Sequence, residues 1–198
     1  LYLSTVGVKT ERFNSQIISL IKKNEPNIDL KINHVSAKLN LFTFNIDAKT
    51  VGTDLIYRNK TIKLENIKSK ISLKSIVKNQ FALSEISIST KSLPLKELIG
   101  FIRLLNNDTK LLILEQLINN GYIVADLKLE FDKSGKLKKN YKINGLINNG
   151  QISILNKKIS KLNLIFKISD KEFIFNEIDF LLNSKKVVIQ ELIALEEN

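Results

Sequence analysis

Apolar and polar residues alternate along much of this chain. The pattern reads Ile28-Asp29-Leu30-Lys31-Ile32, Phe42-Thr43-Phe44-Asn45-Ile46, Ile86-Ser87-Ile88-Ser89, Leu127-Lys128-Leu129-Glu130-Phe131 and Phe173-Ile174-Phe175. A period of two sends successive side chains to opposite faces of a strand, so each run predicts a strand with one apolar and one wetted face. Repeated over most of the chain, it predicts a large antiparallel sheet with a greasy face to hide. Protein, membrane or lipid must cover that face, and which of these does so is the functional question.

The pattern organises the chain as a single mainly β domain with helices (α+β) over 1–198, its apolar face either closed into a sandwich core or left open as a long antiparallel curved sheet or groove, with an N-terminal helix and a central helical hairpin. Thr10 is a candidate N-cap for an amphipathic helix over 9–24, with Phe13, Ile17, Ile18, Leu20 and Ile21 on its apolar stripe and Pro26 barring continuation. Strands are expected near 28–33, 36–48, 53–58, 61–72 and 80–90, with a helical turn at 73–78. The 36–48 run changes parity between Leu41 and Phe42, which predicts a bulge or a turn.

A helical hairpin is expected over 94–120. Pro94 suits a first turn, Leu95, Leu98, Ile99, Ile102 and Leu105 form an apolar face, and Asn120-Gly121 forms a stop. Strands resume near 122–132, 138–147, 150–156, 159–169, 172–182 and 186–191, with turns at 132–135, 148–150, 156–158 and 169–171. No βαβ crossover pattern is present, which disfavours a parallel sheet.

Catalytic chemistry is sparse. There is no cysteine and one histidine, His34, beside Val35 at a strand boundary, where a structural role is the natural reading. Acidic residues are scattered without the spacing a metal centre needs, so no metal site and no cofactor is expected. The seven glycines are isolated and form no phosphate-cradling loop; Gly145 and Gly150 suit strand bends or turns. The sequence therefore reads as a non-enzyme. The net charge of +11 comes almost wholly from lysine, arginine occurring only at 12, 58 and 103. Lysine blunts sheet edges. Without an arginine cluster or a stacking platform, nucleic acid is disfavoured as a partner and anionic lipid headgroups rank ahead of it. No apolar run reaches the roughly 20 residues that span a bilayer. The opening Leu1-Tyr2-Leu3 reads as a cut end, and the acidic segment from Glu191 reads as another.

The opening Tyr2-Leu3-Ser4-Thr5-Val6-Gly7-Val8-Lys9-Thr10-Glu11-Arg12-Phe13-Asn14 resembles the segment that follows the N-terminal membrane helix in AsmA-like proteins of Gram-negative bacteria. Residues 64–90 resemble that family's recurring unit: a strand ending in Ser72-Leu73, a short helical turn, and a strand through Phe81-Ala82-Leu83 to Ile86-Ser87-Ile88. The TamB and YhdP types of that family look like the bridge-like lipid carriers of eukaryotes. The resemblance implies an inner-membrane-anchored, periplasmic β-groove that helps move phospholipid between inner and outer membranes, with no catalytic residues. The alternative is a structural factor for outer-membrane protein assembly, with outer-membrane assembly proteins as partners. On the carrier reading, acyl chains are expected to contact Ile28, Leu30, Ile32, Leu64, Phe81, Leu83, Ile86, Ile88, Leu127, Leu129 and Phe131.

Overall fold

A computed structural model describes residues 8–10, 14, 18, 27–58, 60–78, 83–106, 109–134, 136, 138 and 140–196. The strands are β1 (Val8–Thr10), β2 (Ile28–Asn40), β3 (Asn45–Tyr57), β4 (Lys60–Ser72), β5 (Leu83–Thr90), β6 (Leu93–Pro94), β7 (Ile118–Glu130), β8 (Lys142–Ile154), β9 (Lys157–Ser169), β10 (Glu172–Leu182) and β11 (Lys185–Leu195). Three helices are fully described: α1 (Leu73–Val77), α2 (Leu95–Asn106) and α3 (Thr109–Leu117). The strands hydrogen-bond in the order β1-β2-β3-β4-β5-β7-β8-β9-β10-β11, a path that does not close on itself, and β6 pairs with β7 off that path. Every neighbouring pair with a defined register is antiparallel. The mainly β, antiparallel architecture is the one the alternation predicts; the sheet is unclosed, a point that alternation alone does not decide.

Where the sequence pattern predicts one domain, the chain divides into two compact units. The first holds Leu1–Ser89 and Leu127–Tyr141, the second Thr90–Asp126 and Lys142–Asn198.

Several strands run to 13 residues, about 43 Å at strand rise. They are longer than the sequence suggests because mid-strand breaks in parity resemble turns. Asn148-Asn149-Gly150, expected as a turn between two strands, lies inside β8. Asn120-Gly121, expected to stop a helix, lies inside β7, which starts at Ile118. The expected strand 36–48 is the end of β2, a turn over 41–44 and the start of β3, the turn lying where the change of parity between Leu41 and Phe42 predicts a bulge or a turn. Pro94 closes β6 and precedes α2 without entering it. Of the helix expected over 9–24, Lys9 and Thr10 belong to β1. Only Asn14 and Ile18 are described beyond them, both with helical backbone, and the rest lies outside the described residues.

Core formation differs by element. In the second unit Leu93 on β6, Leu95 and Phe101 on α2, and Ile118, Ile123 and Ala125 on β7 are buried, with β6 paired to β7. The Arg103 guanidinium donates to Glu115 at 2.6 Å and ties α2 to α3. α3 buries no residue and leaves Leu112, Ile113 and Leu114 exposed.

Candidate lipid-binding sheet faces

In the second unit, three neighbouring strands each carry one extra residue near their middle. Pairing between β8 and β9 shifts at Ile147/Gly150 and Gly150/Ile152; pairing between β9 and β10 shifts at Asn176/Asp179 and Asp179/Leu181. The extra residues Asn149, Lys161 and Glu177 have φ of 52°, 54° and 51°. Each is a β-bulge, and each flips the parity of the residues beyond it. The Asn163 side chain satisfies two backbone groups that the bulges unpair: its Oδ1 accepts from Asn149 N–H at 2.9 Å and its Nδ2 donates to the Lys161 carbonyl at 3.2 Å.

Counted through the bulges, one face of these strands is apolar along most of its length, ending in the exposed pair Ile154↔Lys157 at the β8–β9 turn. β8 contributes Ile143, Ile147 and Ile152; β9 Ile159, Leu162, Leu164, Phe166 and Ile168; β10 Phe173, Phe175, Ile178, Phe180 and Leu182. Gly145 and Gly150 sit in the same rows, and a Cβ at Gly145 would run into the Val124 carbonyl and the Phe166 ring. Only Gly150, Leu162, Phe166 and Ile178 of this face are buried, and the remaining side chains short of that exposed pair are half-buried. All strands of this unit lie in one sheet, so among the described residues no further sheet layer covers the face. Plain alternation does not single these residues out. The signal that finds them is a one-residue slip in alternation at each of Asn149, Lys161 and Glu177.

The first unit makes the same change of parity differently. β2–β3 and β3–β4 keep constant registers along their length, yet Asn33 is not paired with Gly52, and residues 50–52 are not paired with 65–67. Gly52 has φ 63°. Thr50 Oγ1 fills the gap, accepting from Ile67 N–H at 3.0 Å and from the Thr53 hydroxyl at 2.7 Å. In an unbroken strand residues three apart point to opposite faces. Buried Thr50 and Thr53 touch, so the break brings both parities to one side. Leu30, Ile62 and Leu64 are buried on one side of the break and Val35 on the other.

Strand alternation then sorts the predicted contacts. Ile28, Leu30 and Ile32 lie with Leu64, through Leu30↔Leu55↔Ile62 and Ile32↔Thr53↔Leu64. Beyond the break, Leu39↔Ile46↔Ile71 continues the apolar side. Glu85 bridges Lys70 on β4 and Lys128 on β7, both at 3.1 Å, which puts these charges on the opposite side. Ile86, Ile88, Leu127, Leu129 and Phe131 alternate with the charged positions and fall on the apolar side, all half-buried. Leu83 shares the parity of Glu85 and departs from the expected set. Leu30 and Leu64, 4% and 3% exposed, are already covered by protein and offer no surface to a ligand. Phe81 lies outside the described residues.

The charged side is a ladder: Lys70–Glu85–Lys128–Glu130–Lys138, its last two steps 3.3 and 3.7 Å. Partial burial pushes the Glu85 carboxyl up, but hydrogen bonds and charge from Lys128 and Lys70 together outweigh this and hold it below its ordinary value. Glu130 is held low by the Asn140 amide first and Lys128 next. Lys128 is raised, chiefly by its hydrogen bond to Glu85. Among the described residues no group of His, Asp and Glu is placed to hold a metal ion, and no helix is long and apolar enough to cross a membrane.

No family model, curated protein or solved structure matches this chain.

Proposed function

We propose that the chain is a lipid-binding module whose apolar sheet face carries phospholipid acyl chains. The observation that supports this reading is the face of β8–β10. It is a continuous run of Phe, Leu and Ile side chains, mostly half-buried, with no further sheet layer over it among the described residues. Each methylene moved from water onto such a face is worth about 0.8 kcal/mol, so half of a sixteen-carbon chain in contact gains about 6 kcal/mol. Binding of this kind needs no enclosed pocket and leaves the headgroup in solvent. With the resemblance to AsmA-like proteins, the proposal extends to a periplasmic carrier, anchored at the inner membrane of a Gram-negative bacterium, that helps phospholipid reach the outer membrane.

The test is mass spectrometry of lipid extracted from the purified chain, alongside the variants Phe175→Asp and Phe180→Asp. The reading expects co-purifying phospholipid that is lost in both variants while far-ultraviolet circular dichroism stays unchanged. A folded wild-type chain that carries no lipid and takes up no fluorescent fatty acid would overturn it.

One observation favours the alternative of an assembly factor. β11 ends the strand path and exposes Val188, Ile193 and Leu195 at 61%, 52% and 69%. A long apolar edge is a template for adding another strand. That reading expects capture of a barrel-assembly protein, abolished by Ile189→Pro, with little bound lipid.

A further inference from the structure

The turn between β2 and β3 has the wrong chemistry for a solvated turn. Tight turns favour Asn, Gly, Asp and Ser, whereas this one reads Leu41-Phe42-Thr43-Phe44. Phe42 is fully exposed at 101%, and Leu41 and Phe44 are 50% and 51% exposed. Phe44 takes φ 51°, a conformation that bulky side chains disfavour. The turn is nonetheless well built: Asn40 Oδ1 accepts from Thr43 N–H at 3.2 Å, and the Phe44 carbonyl accepts from Leu73 N–H at 2.9 Å. The bond to Leu73 fastens α1 to the turn and sets Val77, 87% exposed, in the same patch. Phe44, Leu73, Lys74, Val77 and Lys78 line a shallow cleft of about 270 Å³.

The charge on α1 and the residue that follows it has one sign. Lys74 Nζ stands 5.5 Å from the centre of the Phe44 ring, Lys78 is exposed beside it, and among the described residues neither pairs with a carboxylate. Residues 66–84 contain Lys68, Lys70, Lys74 and Lys78 and no acidic residue. The nearest carboxylate along β3, Asp47, is flanked in register by Lys38 and Lys70. An exposed aromatic tip flanked by Lys74 and Lys78, which have no carboxylate partner among the described residues, matches the two components of an anionic bilayer surface. The rings enter the acyl boundary while the ammonium groups meet phosphate.

We propose that the Leu41–Phe44 turn, with Lys74 and Lys78, docks the chain onto an anionic phospholipid membrane. This inference is separate from acyl-chain binding on the sheet face, because a chain could carry lipid without this contact. The test is sedimentation of the whole chain with vesicles of phosphatidylcholine alone and of phosphatidylcholine with phosphatidylglycerol, three to one. Binding to the mixed vesicles is expected, weakening as salt is raised. Phe42→Ser lowers it about tenfold or more, from the loss of one inserted ring. Lys74→Gln with Lys78→Gln lowers it about tenfold at low salt and less at high salt. Phe42 is solvent-exposed, so its variant keeps the wild-type unfolding midpoint, and it retains any co-purifying lipid. Leu155→Ser, at the exposed β8–β9 turn, leaves vesicle binding unchanged.

Three results overturn the proposal. One is absence of wild-type binding to mixed vesicles, and another is an equal loss from Leu155→Ser. The third is a wild-type dimer, measured by light scattering, that Phe42→Ser converts to monomer without any vesicle binding; it would assign the patch to another copy of the chain.

Discussion

The two units solve one problem with different devices. Each has long strands whose apolar stripe changes parity midway, and each keeps that stripe on one side of its sheet. The first unit breaks its ladders at one level without changing register, using Gly52 for the turn in backbone and Thr50 for the missing acceptor. The other inserts a residue into each of β8, β9 and β10 in staggered fashion and lets Asn163 take up the freed backbone groups. The break in the first unit is buried, at Thr50 and Thr53, while the Asn163 contacts in the other are solvent-exposed. The same geometric result therefore rests on interactions of unequal strength, since an unsatisfied buried group costs far more than an exposed one.

Substitution at the residues of positive φ puts the sharpest strain on this contrast. Gly52→Val forces a side chain into φ 63° and within 2.7 Å of Asn33 Cγ, so it should lower stability by about 3 kcal/mol in a urea titration. Lys161→Gly does the reverse. It relieves a non-glycine residue at φ 54° and should leave stability unchanged or raise it by about 0.5 kcal/mol. If both substitutions prove neutral, the parity breaks are not fixed features and the comparison fails.

Smaller effects follow from the polar groups at each break. Thr50→Val removes the acceptor for both Ile67 N–H and the Thr53 hydroxyl in a buried setting, and should cost about 2 kcal/mol. Asn163→Ala exposes Asn149 N–H to water and should cost about 0.5 kcal/mol. Equal losses would show that water already reaches the first unit's break.

The sequence displays the alternation of every long strand but hides what joins its segments. A strand bulge and a hairpin turn both interrupt the alternation between two apolar runs, and composition alone does not tell them apart. Asn148-Asn149-Gly150 has the composition of a turn and is a bulge. Leu41-Phe42-Thr43-Phe44 has the composition of a strand and is a turn. Periodicity has no memory across a slipped residue. For that reason the β8–β10 face is hidden from plain alternation, while Ile86, Ile88, Leu127, Leu129 and Phe131 lie in unslipped runs and share one side. Leu30 and Leu64 lie on that side too, but burial depends on what stands above a strand, which alternation does not encode. Leu83 is hydrophobic yet stands at the parity of its strand's charged positions, so hydrophobicity alone misplaces it.

The smallest difference between the units is electrostatic. The first carries a ladder of charges across its polar side, from Lys70 through Glu85, Lys128 and Glu130 to Lys138. The ion pair Arg103–Glu115 of the other unit joins helices instead. Glu85 and Glu130 have folded pKa values below their ordinary ones. Their contribution is therefore complete above the ordinary carboxylate range and is lost as pH falls through the depressed folded values. Lys128, raised in the folded state, contributes fully below the ordinary lysine value and loses that contribution as pH rises through the raised one. Neutral pH lies inside both windows. Solvated pairs of this kind contribute at most about 1 kcal/mol, so acidification below the ordinary carboxylate range should lower the melting temperature by about 2 °C through this ladder. Glu85→Gln should remove part of that dependence and leave the rest to Glu130. Backbone amides of both units, followed by hydrogen exchange at neutral and acid pH, should show the first unit losing protection before the other. If the order is reversed, the ladder is not what sets it.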